Sequence, residues 1–406
     1  MKKNGLVLKL ILLVSTPLLF HNAMNGAESE PSVFNPILTA VPSLSITPDA
    51  RGGGMGDVGA ATSGDINSQF WNPAKYAQME NPAGFSISYT PWLSKIVNDI
   101  NIVYLAGYYK LDEGQAFGAS FRYFSLGNIT LTSMPDPITG LPYEEGQVVP
   151  NELSVDLSYS RYLSEHWTAA VALRYIRSDL TNGMVEGTYA GNAMGADIAA
   201  YYKQPIILGE SNTAYASFGV NISNIGTKIS FDDGYAQLFI PTNLRIGAAF
   251  EYPFDEYNTI AIAADINKLL VPTPPRTKID PNATEEEEHE REKAWEDYQN
   301  ISSIAGIFKS FNDAPGGMKE ELQEIMWSVG LEYAYDKKFL VRAGYFHEAQ
   351  NKGNRKYYTF GVGFNLSVFQ LNAAYLLSTA QTNPLDQTVR FSLGFDLAGI
   401  QRILKN

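Results

Sequence analysis

From Gly84 to the C-terminus the apolar positions repeat with a period of two, the spacing of strands whose two faces meet different surroundings. Leu153, Val155, Leu157 and Tyr159 alternate with Ser154, Asp156, Ser158 and Ser160. Trp167, Ala169, Val171, Leu173 and Tyr175 do the same against Thr168, Ala170, Ala172 and Arg174, and the pattern returns over 244–252, 327–333 and 388–395. The polar face is mostly Gly, Ala and Ser with scattered Arg, Asp and Glu, whereas the apolar face closes in Trp, Tyr and Phe at strand ends. Soluble sandwiches alternate too, but with shorter strands and no terminal aromatics. Lipid-facing strands bounded by aromatic girdles show both features.

The alternation predicts strands near 84–91, 99–110, 114–126, 151–163, 166–178, 190–204, 212–223, 241–252, 257–268, 326–336, 338–348, 355–366, 368–378 and 386–396. Alternate connections are short, at Leu111 to Gly114, Ser164-Glu165, Pro253 to Tyr257, Lys337 and Ser367-Val368, with Gln204 to Ser211 of middle length. Between them lie 127–150, 179–189, 224–240 and the large 268–325. Tight turns on one side and loops on the other match a transmembrane antiparallel β-barrel, all-β and of about fourteen strands, with short periplasmic turns and long extracellular loops.

Four further segments stand apart from the expected wall at 84–396. Lys2 and Lys3 before an apolar run from Leu6 to Phe20, then Ala23, Gly26 and Ala27, read as a cleavable signal peptide over 1–27. Residues 28–83, with Pro31, Pro36, Pro42 and Pro48 and a Gly-rich run from Gly52 to Gly59, read as a compact N-terminal plug inside the barrel. Residues 397–406 read as a periplasmic tail. In the large loop, Thr284 and Glu287 form a capping-box pattern before a charged helical run. Trp295 and Tyr298 lie in this stretch, and Ile301, Ile304, Phe308 and Phe311 follow at helix-like spacing. An outward apolar stripe of this kind either packs on the barrel rim or binds another protein.

Composition supports the wall and excludes other classes. There are 24 Tyr, 21 Phe and 34 Gly, 18% of residues are charged, and mean hydropathy is −0.15, as an alternating wall requires. The formal charge of −13 would become −16 on removal of residues 1–27, which carry Lys2, Lys3 and Lys9 and no acid. Without a basic cluster, nucleic acid is no partner. With no cysteine, disulfides, thiolate metal sites, a cysteine nucleophile and a lipoprotein anchor are excluded.

The sequence points to no catalytic chemistry, cofactor or metal. Gly54, Gly56 and Gly59 satisfy a GxGxxG string, but no strand precedes it and no βαβ unit surrounds it; a tight path inside a barrel is the better account. His289 to Lys293 begins like a zinc-protease helix, yet Lys293 stands where the second histidine would be needed. No GxSxG elbow appears. Arg122, Asp156, Arg174, Arg245, Glu251, Glu332, Arg342 and Arg390 fall on the lumenal face, where such residues pair across the interior or line a polar path.

The Gly-rich stretch from Gly52 to Ala61, Asp65 to Ser68, and Phe70-Trp71-Asn72-Pro73-Ala74 resemble the FadL-type outer-membrane proteins and, within them, the PorV and PorQ group of the type IX secretion system. The resemblance continues through the whole barrel. It implies a fourteen-stranded barrel plugged by its N-terminal segment, with Gly54, Gly56, Gly59, Asn72, Pro73 and Ala74 as the plug motif. It also implies a non-enzymatic shuttle that binds the C-terminal domain of secreted cargo at the SprA/Sov-type translocon. The cargo would then go to a PorU-type sortase complex for attachment to lipopolysaccharide. No cargo-binding motif carries over, so the site is expected on extracellular loops: 268–325 first, through Trp295, Tyr298, Ile301, Ile304, Phe308 and Phe311, then 127–150 and 224–240. The rivals are a FadL-type transporter of hydrophobic molecules, which predicts a lateral opening, and a lipopolysaccharide deacylase, which needs a nucleophile and base at the outer lipid interface.

Overall fold

A computed structural model of the 406-residue chain describes residues 34–399 except 96, 133–138, 209–211, 233, 235, 276–283, 367, 380–384 and 398. The expected signal peptide and nearly all of the expected tail lie outside the described residues. From Asn35 onward the chain forms one unit.

The wall is a closed antiparallel barrel of fourteen strands. It contains β1 (Ala83–Pro91), β2 (Asn101–Lys110), β3 (Gln115–Ser125), β6 (Asn151–Tyr162), β7 (Trp167–Asp179), β8 (Gly191–Leu208) and β9 (Asn212–Gly226). It continues through β10 (Asn243–Pro253), β11 (Asn258–Leu269), β12 (Met326–Tyr335), β13 (Phe339–His347), β14 (Lys356–Asn365), β15 (Phe369–Ser378) and β16 (Val389–Asp396). Each strand pairs with its neighbours, and β1 meets β16 over the six pairs from Gly84↔Asp396 to Tyr89↔Phe391, the shortest register in the wall. Strand exposure follows the alternation: in β12, Trp327, Val329, Leu331, Tyr333 and Tyr335 face out, while Met326, Ser328, Gly330, Glu332 and Ala334 are buried.

The turn side carries connections of three or four residues, and both ends of the wall lie on that side. The loop side carries connections of eight to fifty-six residues. Aromatics gather near both ends of the strands. Trp327, Tyr345 and Tyr358 stack in a row at 5.5 and 5.0 Å on the loop side, and Phe339 meets Phe364 at 5.2 Å on the turn side. Amphipathic rings at those two levels suit the two lipid–water interfaces.

The structure corrects the expected elements in three places. β8 runs to Leu208, so 209–211 alone join it to β9 instead of the longer Gln204–Ser211 link. β11 runs to Leu269, and the large connection begins at 270. Within 127–150 a separate hairpin forms from β4 (Ile129–Thr132) and β5 (Glu144–Val148), too short and too polar to show a period.

Candidate functional site

The stretch from Asn35 to Pro82 packs against the inward face of the wall. It contains 3₁₀ turns at Pro42–Ser45 and Pro73–Gln78 and two short helices, α1 (Ala50–Gly54) and α2 (Ser68–Trp71). Asp49 caps α1 by accepting from the Gly52 amide at 2.9 Å, and its other oxygen accepts from the Trp71 indole at 2.6 Å. Arg51 leaves the same helix to reach Asp65 at 3.0 Å and the β12 residue Glu332 at 3.0 Å, and Arg342 of β13 holds Glu332 at 2.6 Å. Asp265 of β11 accepts from the amides of Gly59 and Ala60 at 2.8 and 2.9 Å. Buried backbone donors thus find carboxylate acceptors supplied by the wall, as burial of polar backbone requires.

The motif residues sit in confined positions against the inner wall. Gly54 ends α1. Gly56 has φ of +76°, and a β-carbon there would lie 2.6 Å from the Tyr345 backbone; one on Gly59 would lie 2.2 Å from the Trp71 ring. Asn72 donates to the Ala60 carbonyl at 3.1 Å and to the Ala200 carbonyl of β8 at 2.9 Å, and accepts from the Ala74 amide at 3.1 Å. Pro73 takes the first position of the following turn, where no amide hydrogen is needed, and Ala74 packs with Ala170, Ala199 and Tyr201.

Several of the lumenal charges resolve into pairs. Arg174 binds Asp156, and Asp197 at 3.1 Å; Arg390 lies 3.6 Å from Asp57. Arg122 and Arg245 have no carboxylate within 4.0 Å among the described residues. Glu251 borders a second polar space on the turn side with Lys203, Arg51 and Glu332.

On the loop side the connection between β11 and β12 holds three helices: α3 (Glu285–Asn300), α4 (Ser303–Lys309) and α5 (Met318–Gln323). The capping box of Thr284 and Glu287 is present at the start of α3. The helix-like spacing expected through 301–311 is broken, because Ser302 caps a new helix by accepting from the Ala305 amide at 3.3 Å. The six expected binding residues therefore divide. Tyr298 packs on Phe239 at 5.8 Å, donates to the Pro272 carbonyl at 3.3 Å and meets Trp295 at 5.6 Å, while Ile301 caps α3. Burial, with Asp313 nearby, pushes the Tyr298 phenol up to about 12. Ile304, Phe308 and Phe311 are exposed at 57, 74 and 49%, and the Phe311 ring lies 5.9 Å from the Lys268 ammonium.

What anchors this connection was not singled out from sequence. Lys268 contacts Glu324 at 2.6 Å and Glu321 at 3.3 Å, and Lys352 contacts Glu320 at 2.8 Å and Glu324 at 2.9 Å, all buried. Thr273 donates to Glu324 at 2.6 Å. Two lysines far apart in sequence, one at the end of β11 and one in the connection between β13 and β14, thus clamp the acidic face of α5. Neither the Lys-Glu-Glu string nor Lys352 alone signals this, since such residues are ordinarily solvated.

A closed fourteen-stranded barrel with an apolar outer face, two levels of aromatics and a polar inner face is an outer-membrane β-barrel protein. A family model for the type IX secretion system protein PorV matches residues 29–276, and the chain belongs to that family. No curated protein matches the chain. Among solved structures, the Pseudomonas putida toluene transporter TodX is similar at 12% identity and a TM-score of 0.46, over 86% of this chain and 97% of that one. The Ralstonia pickettii toluene transporter TbuX is similar at 12% identity and a TM-score of 0.44, over 85% and 96%. A Pseudomonas aeruginosa FadL homologue follows at 10% identity and a TM-score of 0.39, over 89% and 99%.

Proposed function

We propose that this type IX secretion component is a non-enzymatic adaptor. It binds the C-terminal domain of cargo leaving an SprA/Sov-type translocon and delivers it to a PorU-type attachment complex at the cell surface. The observation that carries the reading is the pairing of a filled lumen with an exposed apolar face on the loop side. Asn35–Pro82 occupies the inner wall as a plug, so the interior serves as support, whereas Ile304 and Phe308, four residues apart on α4, share one face turned to solvent. Large apolar side chains held open on a rigid, clamped connection are what a protein-binding surface needs. In this reading residues 1–27 are removed on export, 397–406 face the periplasm, and the loops face the cell exterior.

The transporter reading has support in an apolar chamber of about 540 Å³ beneath the loops, lined in part by Trp92, Leu93, Phe124 and Leu385. It also requires a lateral exit, and neighbouring strands are paired all round the wall.

Affinity purification from cells tests the adaptor. Secreted proteins sharing a C-terminal domain should accompany the wild-type protein, and Ile304→Ser with Phe308→Ser should reduce their recovery severalfold while leaving the heat-modifiable gel mobility of the folded barrel intact. Normal secretion in a deletion strain, with no such cargo recovered, would refute the adaptor. Undiminished recovery with the double variant would move the site off α4.

A further inference from the structure

We propose that Arg122 and Arg245 form a carboxylate-binding site in the lumen, independent of the cargo surface. The two come from β3 and β10 and converge on one ring, lying 4.9 and 5.1 Å from the centroid of Phe70. Arg245 also lies 4.6 Å from the Trp71 ring, and Arg122 5.4 Å from the Tyr104 ring. They border a cavity of about 80 Å³.

Their partners set them apart from the other lumenal arginines. Arg51, Arg174, Arg342, Arg355 and Arg390 each have a carboxylate within 4.0 Å. Arg122 instead donates from one nitrogen to the carbonyls of Ser43 and Ile46, the latter at 3.0 Å. Arg245 donates to the Asn267 side chain at 2.8 Å and to the Phe70 carbonyl at 3.5 Å. Neutral acceptors and aromatic faces satisfy part of each fork, but neither guanidinium makes a direct ion pair among the described residues, and Arg122 is buried. Five donors in a planar fork are matched by the two oxygens of a carboxylate.

The wall of the cavity selects a single charge. Asp57 and Asp156 also border it, and both are engaged: Asp57 accepts from the Tyr357 hydroxyl at 2.5 Å, and Asp156 from the Ser120 hydroxyl at 2.6 Å and from Arg174. A phosphate dianion beside them would meet like charge in a low-dielectric interior; a monoanion meets half as much. The cavity shares Ser45, Leu269, Met326 and Arg355 with the larger apolar chamber. A carboxylate can therefore arrive as a free ion or as the end of an apolar chain, and the chemistry at the arginines is the same.

Equilibrium binding of labelled acetate to the folded full-length protein in detergent tests the site. Saturable uptake of one acetate per chain is expected. Arg122→Lys and Arg245→Lys, which keep charge but lose the fork, should each weaken it by about tenfold, and Arg122→Gln with Arg245→Gln should abolish it. The heat-modifiable mobility identifies folded material, and if the double variant does not fold, the two lysine variants decide. Octanoate binding at least tenfold tighter than acetate would assign a chain-borne carboxylate, and equal binding a free ion; either sustains the site. Absence of saturable acetate, undiminished binding in the folded variants, or inorganic phosphate binding more tightly than acetate would overturn it.

Discussion

At the scale of the residue, the contacts between Asn35–Pro82 and the wall are those in which one side chain answers two backbone demands. Asp265 accepts from two successive amides, so Asp265→Ala leaves the Gly59 and Ala60 donors buried without an acceptor. Bonds to a charged acceptor are worth about 1.5–3 kcal/mol, and the variant should lose stability on that order, read as a lower temperature for conversion of the heat-modifiable band. Gly56→Ala combines a left-handed backbone with a collision against Tyr345 and should cost about 2 kcal/mol or more by the same assay. Asp313 supplies a pH test outside the wall. Burial lifts its carboxyl to about 6, with the Thr273 bonds opposing and Glu321 and Glu324 adding to the rise. A folded value above the ordinary 3.8 of an aspartate means that the folded connection holds the proton more tightly. Its contribution is complete below about pH 4 and is lost as pH rises through 6. Limited proteolysis of 270–325 should therefore be faster at pH 7.5 than at pH 5, and Asp313→Asn should flatten the difference.

At the scale of the element, the wall strands were legible because a membrane barrel exposes every second residue to lipid, which writes its topology into the sequence as alternation. The same argument explains the misses. β4 and β5 are too short and too largely exposed to show a lasting pattern, and the extension of β8 through Pro205 to Leu208 is hidden by a proline that the edge of the wall tolerates. In the large connection the capping box gave away α3, but the break at Ile301-Ser302 was masked by apolar spacing that runs across two helices. The proposed binding surface was only half visible: Phe308 and Tyr298 look alike in sequence, and only Phe239 and Pro272 decide that Tyr298 is packed. The Arg122–Phe70–Arg245 grouping has no sequence signal, since its members join three distant segments. Because the first half of α3 is polar on every side, its local cap should matter: Thr284→Ala should cost about 1 kcal/mol of helix stability, seen as faster amide exchange over 285–290.

At the scale of the whole molecule, the wall sets residence in the membrane, while in the proposed reading the inner segment fills it and the loop side presents the cargo surface. If the inner segment is the plug proposed above, the intact protein should give no sustained single-channel conductance in a planar bilayer, and removal of 50–80 should open one. The short β1–β16 seam has a bearing on assembly. The inner segment leads directly into β1, yet its contacts reach β8, β11 and β12, and the ring closes only when β16, the last strand made, meets β1. If the inner segment is the plug proposed above, the barrel is a vessel sewn shut around contents already stowed: the six seam pairs close after the segment has met β8, β11 and β12, and its loading belongs to biogenesis.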